Sequence, residues 1–105
     1  MRQKLAQTKE YCLVIMKTGP NQNQEGVEKL IWEHGRRNFA LGEQGMLPIV
    51  CRIMDDSGVI GIGIFDAGVE QVKAIMDDDP TVKAGIFVYE LHVCRSFPGA
   101  CLPTV

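Results

Sequence analysis

Six hydrophobic segments, in the order strand, helix, strand, strand, helix, strand, constrain this chain more than any other feature. YCLVIMK, Tyr11 to Lys17, is a compact apolar run stopped by Gly19-Pro20, which predicts a strand and then a breaker. From Glu25 to about Gly42, Val27, Leu30, Ile31 and Leu41 fall on one stripe of period 3.6, which predicts a helix. LPIVCRIM, Leu47 to Met54, and VIGIGIF, Val59 to Phe65, flank Asp55-Asp56-Ser57-Gly58, a hairpin in which Gly58 is free to take a positive φ. Val69, Val72, Ile75 and Met76 outline a second amphipathic helix, and Asp79, three residues on, continues its inward side if the helical geometry persists. IFVYELHVC, Ile86 to Cys94, predicts the last strand. Residues 1–10 lack periodicity and read as a polar arm, and the tail RSFPGACLPTV reads as extended. A chain of 105 residues has room for one core, so residues 11–105 are expected to form a single domain.

Two split β-α-β units in one small domain give an α+β fold, the ferredoxin-like βαββαβ plait: a four-stranded antiparallel sheet with two helices on one face. The other face needs a cover. Leu13 and Ile15 alternate with Val14 and Met16, and Leu47, Ile49, Cys51 and Ile53 alternate with Val50 and Met54 around Arg52, so both sides of these strands are largely apolar. Two helices cover one face only, and a bare apolar sheet exceeds what monomers usually expose. A homodimer closed sheet to sheet is the simplest expectation.

Composition narrows the function classes. The chain is 46% hydrophobic and 23% charged, as globular proteins are, and its net charge of −2 lacks the basic surplus that neutralises phosphates. Nucleic acid is therefore not an expected partner. No run is long enough to span a bilayer and MRQKLAQTKE is too polar for a secretory signal, so no membrane role and a cytoplasmic location are expected. Cys12, Cys51, Cys94 and Cys101 form no C-x-x-C pair and read as structural thiols, and His34 and His92 have no metal-ligand spacing. Gly61-x-Gly63 lies inside a strand with no third glycine, so the dinucleotide fingerprint is absent, and the bare positions leave room for a helix, a partner strand or a ligand. No cofactor is expected.

DDDPTVKAG, Asp77 to Gly85, puts three carboxylates at the end of the second helix, where the dipole repels acidic side chains by a few tenths to about 1 kcal/mol each. Asp79-Pro80 has the form of an N-cap followed by a first-turn proline, so Asp79 can cap a short turn through Lys83 and Ala84. His34 and Asn38 interrupt the inward stripe of the first helix. A pair of His34 with Asp79 would be a general acid/base, because imidazole moves protons near neutral pH and a carboxylate fixes its tautomer. One carboxylate can do both, and the bland alternative is a capping Asp79 beside a hydrogen-bonded core histidine. Asn38 is a candidate to line the same cleft, and Arg52 to hold an anionic substrate, or else to be a solvated edge; the ligand expected is small and anionic or aromatic. Glu90 and His92 share a face of the last strand and read as interface residues ahead of a second dyad. Arg36 and Arg37 lie off the apolar stripe and read as solvent charges. Trp32 and Phe39 fit core edge, pocket wall or partner surface equally.

From about Tyr11 to Val93 the chain resembles the YciI-like (YCII-related) family of dimeric α+β barrel proteins. The resemblance rests on the opening strand YCLVIMK, on His34 followed by the glycine turn at Gly45, and above all on DPTVKAGIFVYEL, similar to the family's D-P-x-x-x-A-G run into the last strand. The chain departs from the family at Ile31, where an arginine is common, and at GMLPIV, where a Gly-Pro pair is common. The resemblance implies lyase, isomerase or dehydrochlorinase-type chemistry through a His and an Asp. The function expected is thus a cofactor-independent lyase or isomerase using His34 and Asp79 on a small organic acid or lactone. The alternative is a non-catalytic small-molecule-binding or structural homodimer module.

Overall fold

The computed structural model describes residues 6–104. Its elements are β1 (Lys9–Thr18), α1 (Val27–Glu43), β2 (Ile49–Arg52), β3 (Val59–Phe65), α2 (Val69–Asp77), α3 (Pro80–Lys83) and β4 (Phe87–Ser96). The strands form one four-stranded sheet in the order β2-β3-β1-β4, every pair antiparallel, which is the ferredoxin-like plait. Of the expected arm, residues 1–5 lie outside the described residues, whereas Lys9 and Glu10 already belong to β1.

Alternation along β1 divides the sheet. Cys12, Val14 and Met16 are buried on the helix side, with Leu13, Ile15 and Lys17 half-buried on the other. The register sets Gly61, Gly63 and Phe65 of β3 opposite Met16, Val14 and Cys12, and therefore on the helix side too. α2 packs onto this side through Val72 and Met76, four residues apart on one face, and Ile86 and Phe87 close the same core.

α1 behaves differently. None of its residues is buried, and only Val27, Leu30 and Leu41 reach the core, half-buried. Its main packing partner is the short α3 rather than the sheet. His34 and Asn38 are the reason, because polar groups in the middle of the stripe cannot enter an apolar core without partners. The helix is held at its centre by polar contacts and stands off the sheet.

β2 is shorter than the expected Leu47–Met54, and the expected side-chain alternation fails at its start. Leu47 precedes the strand and turns into the core, only 4% exposed. A Cβ on Gly63 would come within 3.0 Å of Leu47 Cδ1, and one on Gly61 within 2.8 Å of the Cys51 carbonyl oxygen. Leu47 thus packs against Gly63 and β2 approaches Gly61 closely, while both glycines also line the open space between α1 and the sheet. Arg52 and Val50, opposite Gly61 and Gly63, face the helix side.

The loop after β1 is tied to the start of β4. Gly19 N–H donates to the Ile86 carbonyl (2.7 Å), Asn21 N–H to the Gly85 carbonyl (2.9 Å) and Asn21 Nδ2 to the Ala84 carbonyl (2.9 Å). Gly85 has φ of +72°, and a Cβ on Gly19 would sit 2.3 Å from the Gly85 carbonyl oxygen. Gly85→Ala is expected to cost about 1–2 kcal/mol through the left-handed backbone. Gly19→Ala, which meets backbone rather than a movable side chain, is expected to cost more. Urea unfolding midpoints of the two variants check the order.

Candidate functional site

The three carboxylates of DDDPTVKAG have three different fates. α2 stops at Asp77, earlier than the helical continuation through Asp79 that the apolar spacing suggested, and Asp79 is extended at φ −69°, ψ 130°. Asp77 pairs with Lys73 one turn back (2.7 Å) and accepts from the Tyr89 hydroxyl (2.5 Å). Asp78 pairs with Lys83 (2.9 Å). The Lys73 hydrogen bond, then that of Tyr89, holds the Asp77 carboxyl below its ordinary range, and Lys83 does the same for Asp78. Tyr89 is pushed up to about 12 by burial and by Asp77. Each charge at the helix end therefore has its own donors, which answers the dipole's repulsion.

Asp79 points inward and is 2% exposed. Its Oδ1 accepts from the Thr81 backbone N–H (2.9 Å) and the Thr81 hydroxyl (2.5 Å), so it caps α3 with Pro80 in the first turn. Its Oδ2 lies 2.5 Å from His34 Nδ1 and 3.3 Å from Arg37 Nη1. Burial pushes this carboxyl up, but the bonds from His34 and Thr81 outweigh it and hold the group below its ordinary range. The capping role and the contact with His34 coexist on the two oxygens of one carboxylate.

His34 comes from the middle of α1 and is itself largely enclosed, its ring standing edge-on to Phe87 at 5.9 Å and 76°. Its second nitrogen, Nε2, lies 3.2 Å from Asn38 Nδ2, one helical turn along. In a neutral ring whose Nδ1 proton is donated to Asp79, Nε2 carries a lone pair that can accept from the Asn38 amide. Arg37 corrects the sequence reading. It is no solvent charge but a half-buried group whose Nη2 donates to the Ile75 carbonyl (3.0 Å) at the end of α2. Its spacing of three residues from His34 was the available signal, since such pairs share a helix side.

His34 and Asn38 line one wall of a cleft of about 710 Å³ between α1 and the sheet. Val14, Met16 and Phe65 form an apolar floor, and Arg52, with Asp55 and Asp56 of the hairpin turn, lines the β2 end. Arg52 is exposed and has no ion-pair partner among the described residues. The structure thus brings His34, Asp79 and Asn38 into direct contact and places Arg52 on the same cleft without touching them. Trp32 (63% exposed) and Phe39 (79%) lie outside it. Glu90 and His92 are 3.2 Å apart on the opposite face of the sheet, where Glu90 also pairs with Lys17. All described cysteines are free thiols, and burial raises that of Cys12. No cluster of three or more His, Cys, Asp or Glu able to hold a metal forms among the described residues. None of the described helices is long and apolar enough to cross a membrane.

No family model matches the sequence, and no curated protein matches it significantly. Among solved structures, the chain is similar to 5-chloro-2-hydroxyhydroquinone dehydrochlorinase (TftG) from Burkholderia phenoliruptrix AC1100, determined in complex with 2,5-dihydroxybenzoquinone. The likeness covers 77% of this chain and 90% of that one, at 17% identity and a TM-score of 0.48.

A carboxyl held below its ordinary value stabilises the fold above the unfolded-state value of about 3.9, and that stabilisation is lost as pH falls through the folded-state value. Asp79→Asn keeps a capping side chain but loses the charge. It is expected to cost about 1–3 kcal/mol at pH 7. The difference from wild type should shrink below about pH 4 when unfolding midpoints are compared across pH.

Proposed function

We propose that this chain is a YciI-like homodimer and a cofactor-independent lyase or isomerase, in which His34 and Asp79 form an acid-base pair acting on a small organic acid, lactone or phenol-like ring. The observation that carries this reading is the 2.5 Å contact between His34 Nδ1 and the buried Asp79, in a histidine that lines the cleft wall beside Asn38. Asp79 fixes the ring so that Nε2 is the basic atom. A substrate displacing the Asn38 amide from Nε2 would present a C–H bond there, and its carboxylate or phenolate would meet the unpaired Arg52. Nε2 takes the proton as the C–H bond breaks. The electron pair then forms a double bond and expels a leaving group from the adjacent carbon, or the imidazolium returns the proton to another carbon of the delocalised anion. The first course is a lyase reaction, the second an isomerisation. Asn38, released from the ring, is placed to hydrogen-bond the developing oxyanion.

The dimer reading is supported by the far side of the sheet. Leu13, Ile15, Ile62, Ile64, Ile49 and Cys51 are paired across β1, β3 and β2 into one half-buried apolar strip. A second copy seated there would cover it. Light scattering should give the mass of a dimer for wild type and of a folded monomer for Ile15→Asp. A wild-type monomer at micromolar concentration would exclude the arrangement.

The alternative, a non-catalytic small-molecule-binding or structural dimer module, is favoured by the same apolar strip, which serves association whatever the cleft does. The two readings part in D₂O. Small carboxylic acids, lactones and phenols are incubated with the protein, and loss of C–H signals and product formation are followed by NMR. A turned-over compound should lose roughly 10²–10⁴-fold in rate with His34→Gln. Arg52→Gln should raise KM more than it lowers kcat. Binding of such compounds with no turnover, unchanged by His34→Gln, would favour the module.

A further inference from the structure

Arg37 has two features that a surface charge does not need. Its guanidinium is shared between the Ile75 carbonyl at the end of α2 (3.0 Å) and Asp79 Oδ2 (3.3 Å), with Asp78 Oδ2 farther off at 3.9 Å. The oxygen it approaches is the same one that faces His34 Nδ1, whereas the other carboxylate oxygen is occupied by Thr81. The Ile75 carbonyl belongs to the last turn of α2, where backbone acceptors lack intrahelical donors, so Arg37 is fixed by a bond unrelated to the carboxylate.

We propose that Arg37 is a positioning residue for the His34–Asp79 pair, its fixed charge on the shared carboxylate oxygen limiting how tightly Asp79 holds a second proton on the imidazole ring. The inference rests on the acid-base reading of the pair. An isolated buried carboxylate beside an imidazole favours the imidazolium, and a ring kept protonated at neutral pH cannot act as a base. A permanent cation on the same oxygen opposes that, because the guanidinium does not deprotonate. It neutralises part of the carboxylate charge that the imidazolium would feel. Arg37 thereby favours the neutral ring, whose Nε2 can accept from Asn38, without touching the substrate.

The other groups around the ring do not supply this effect. On α1 the neighbour is neutral Asn38; from β4 it is Phe87; from α2 the cleft lining is Met76; and β1 contributes Val14, Met16 and Thr18. The charged groups lining the rest of the cleft are Arg52 of β2 and Asp55 and Asp56 of the β2–β3 turn, and none has a hydrogen bond or ion pair to His34. Arg37 is the cation in contact with the dyad carboxylate among the described residues.

The experiment is a pH titration of the His34 ring by NMR in the wild type, Arg37→Gln, Arg37→Lys and Asp79→Asn. The expected result is a midpoint in Arg37→Gln higher than in wild type by roughly 0.5–1 pH unit, with Arg37→Lys close to wild type because the charge remains. Loss of a mere latch to Ile75 would lower the unfolding midpoint and leave the ring's titration where it was; that result overturns the proposal. If Asp79→Asn shifts the midpoint and Arg37→Gln does not, the dyad stands and only the role of Arg37 falls. If neither variant shifts it, both fall. Should Arg37→Gln not fold, the wild type suffices: the Arg37 side-chain NMR resonances are expected to shift with the same midpoint as His34. Resonances that ignore the ring's titration would overturn the proposal.

Discussion

A carboxylate without water around it must be surrounded by donors, and the buried Asp79 imposes that condition on everything near it. Thr81 supplies two donors from the same turn, and His34 and Arg37 supply the remainder from α1. Removing an ionised group from water costs several kcal/mol unless it is fully paired. Asp79 can therefore be buried only if α1 lies where these two side chains reach it. The position of the helix follows from the pairing more than from its apolar face, which buries no residue.

The cleft is a consequence. A helix with an uninterrupted apolar stripe would settle onto Met16 and Val14 and fill the space. Here the stripe gives way to His34 and Asn38 at its centre, α1 packs mainly against α3, and about 710 Å³ stays open between helix and sheet. The same two polar residues keep the space open and line it. The short α3 has a part in this as well, since Pro80 and the αL glycine at Gly85 fix the turn that aims Asp79 inward.

Much of this was legible in the sequence, for identifiable reasons. Strand and helix order followed from apolar periodicity, and the Asp79-Pro80 cap from its local residue signature. The meeting of His34 and Asp79 was suggested because polar residues on an inward stripe need partners. What escaped were features set by three-dimensional approach. Leu47 belongs to the core although strand alternation put it with Ile49 and Cys51, because it lies ahead of the strand and fills the space over Gly63. Arg37 looked like solvent charge because its partners, the Ile75 carbonyl and Asp79, come from an element distant in sequence. Strand and helix ends shifted by a few residues, as happens where a turn, rather than periodicity, decides the boundary.

The central claim is that Asp79 fixes the His34 ring with a proton on Nδ1 and leaves Nε2 basic on the cleft wall. Nitrogen-15 NMR of the ring, at a pH where it is neutral, tests this most directly. The account predicts a protonated Nδ1 and an unprotonated Nε2 in the wild type, and loss of that preference in Asp79→Asn. A neutral ring carrying its proton on Nε2 would contradict it, leaving Asp79 as a helix cap alone.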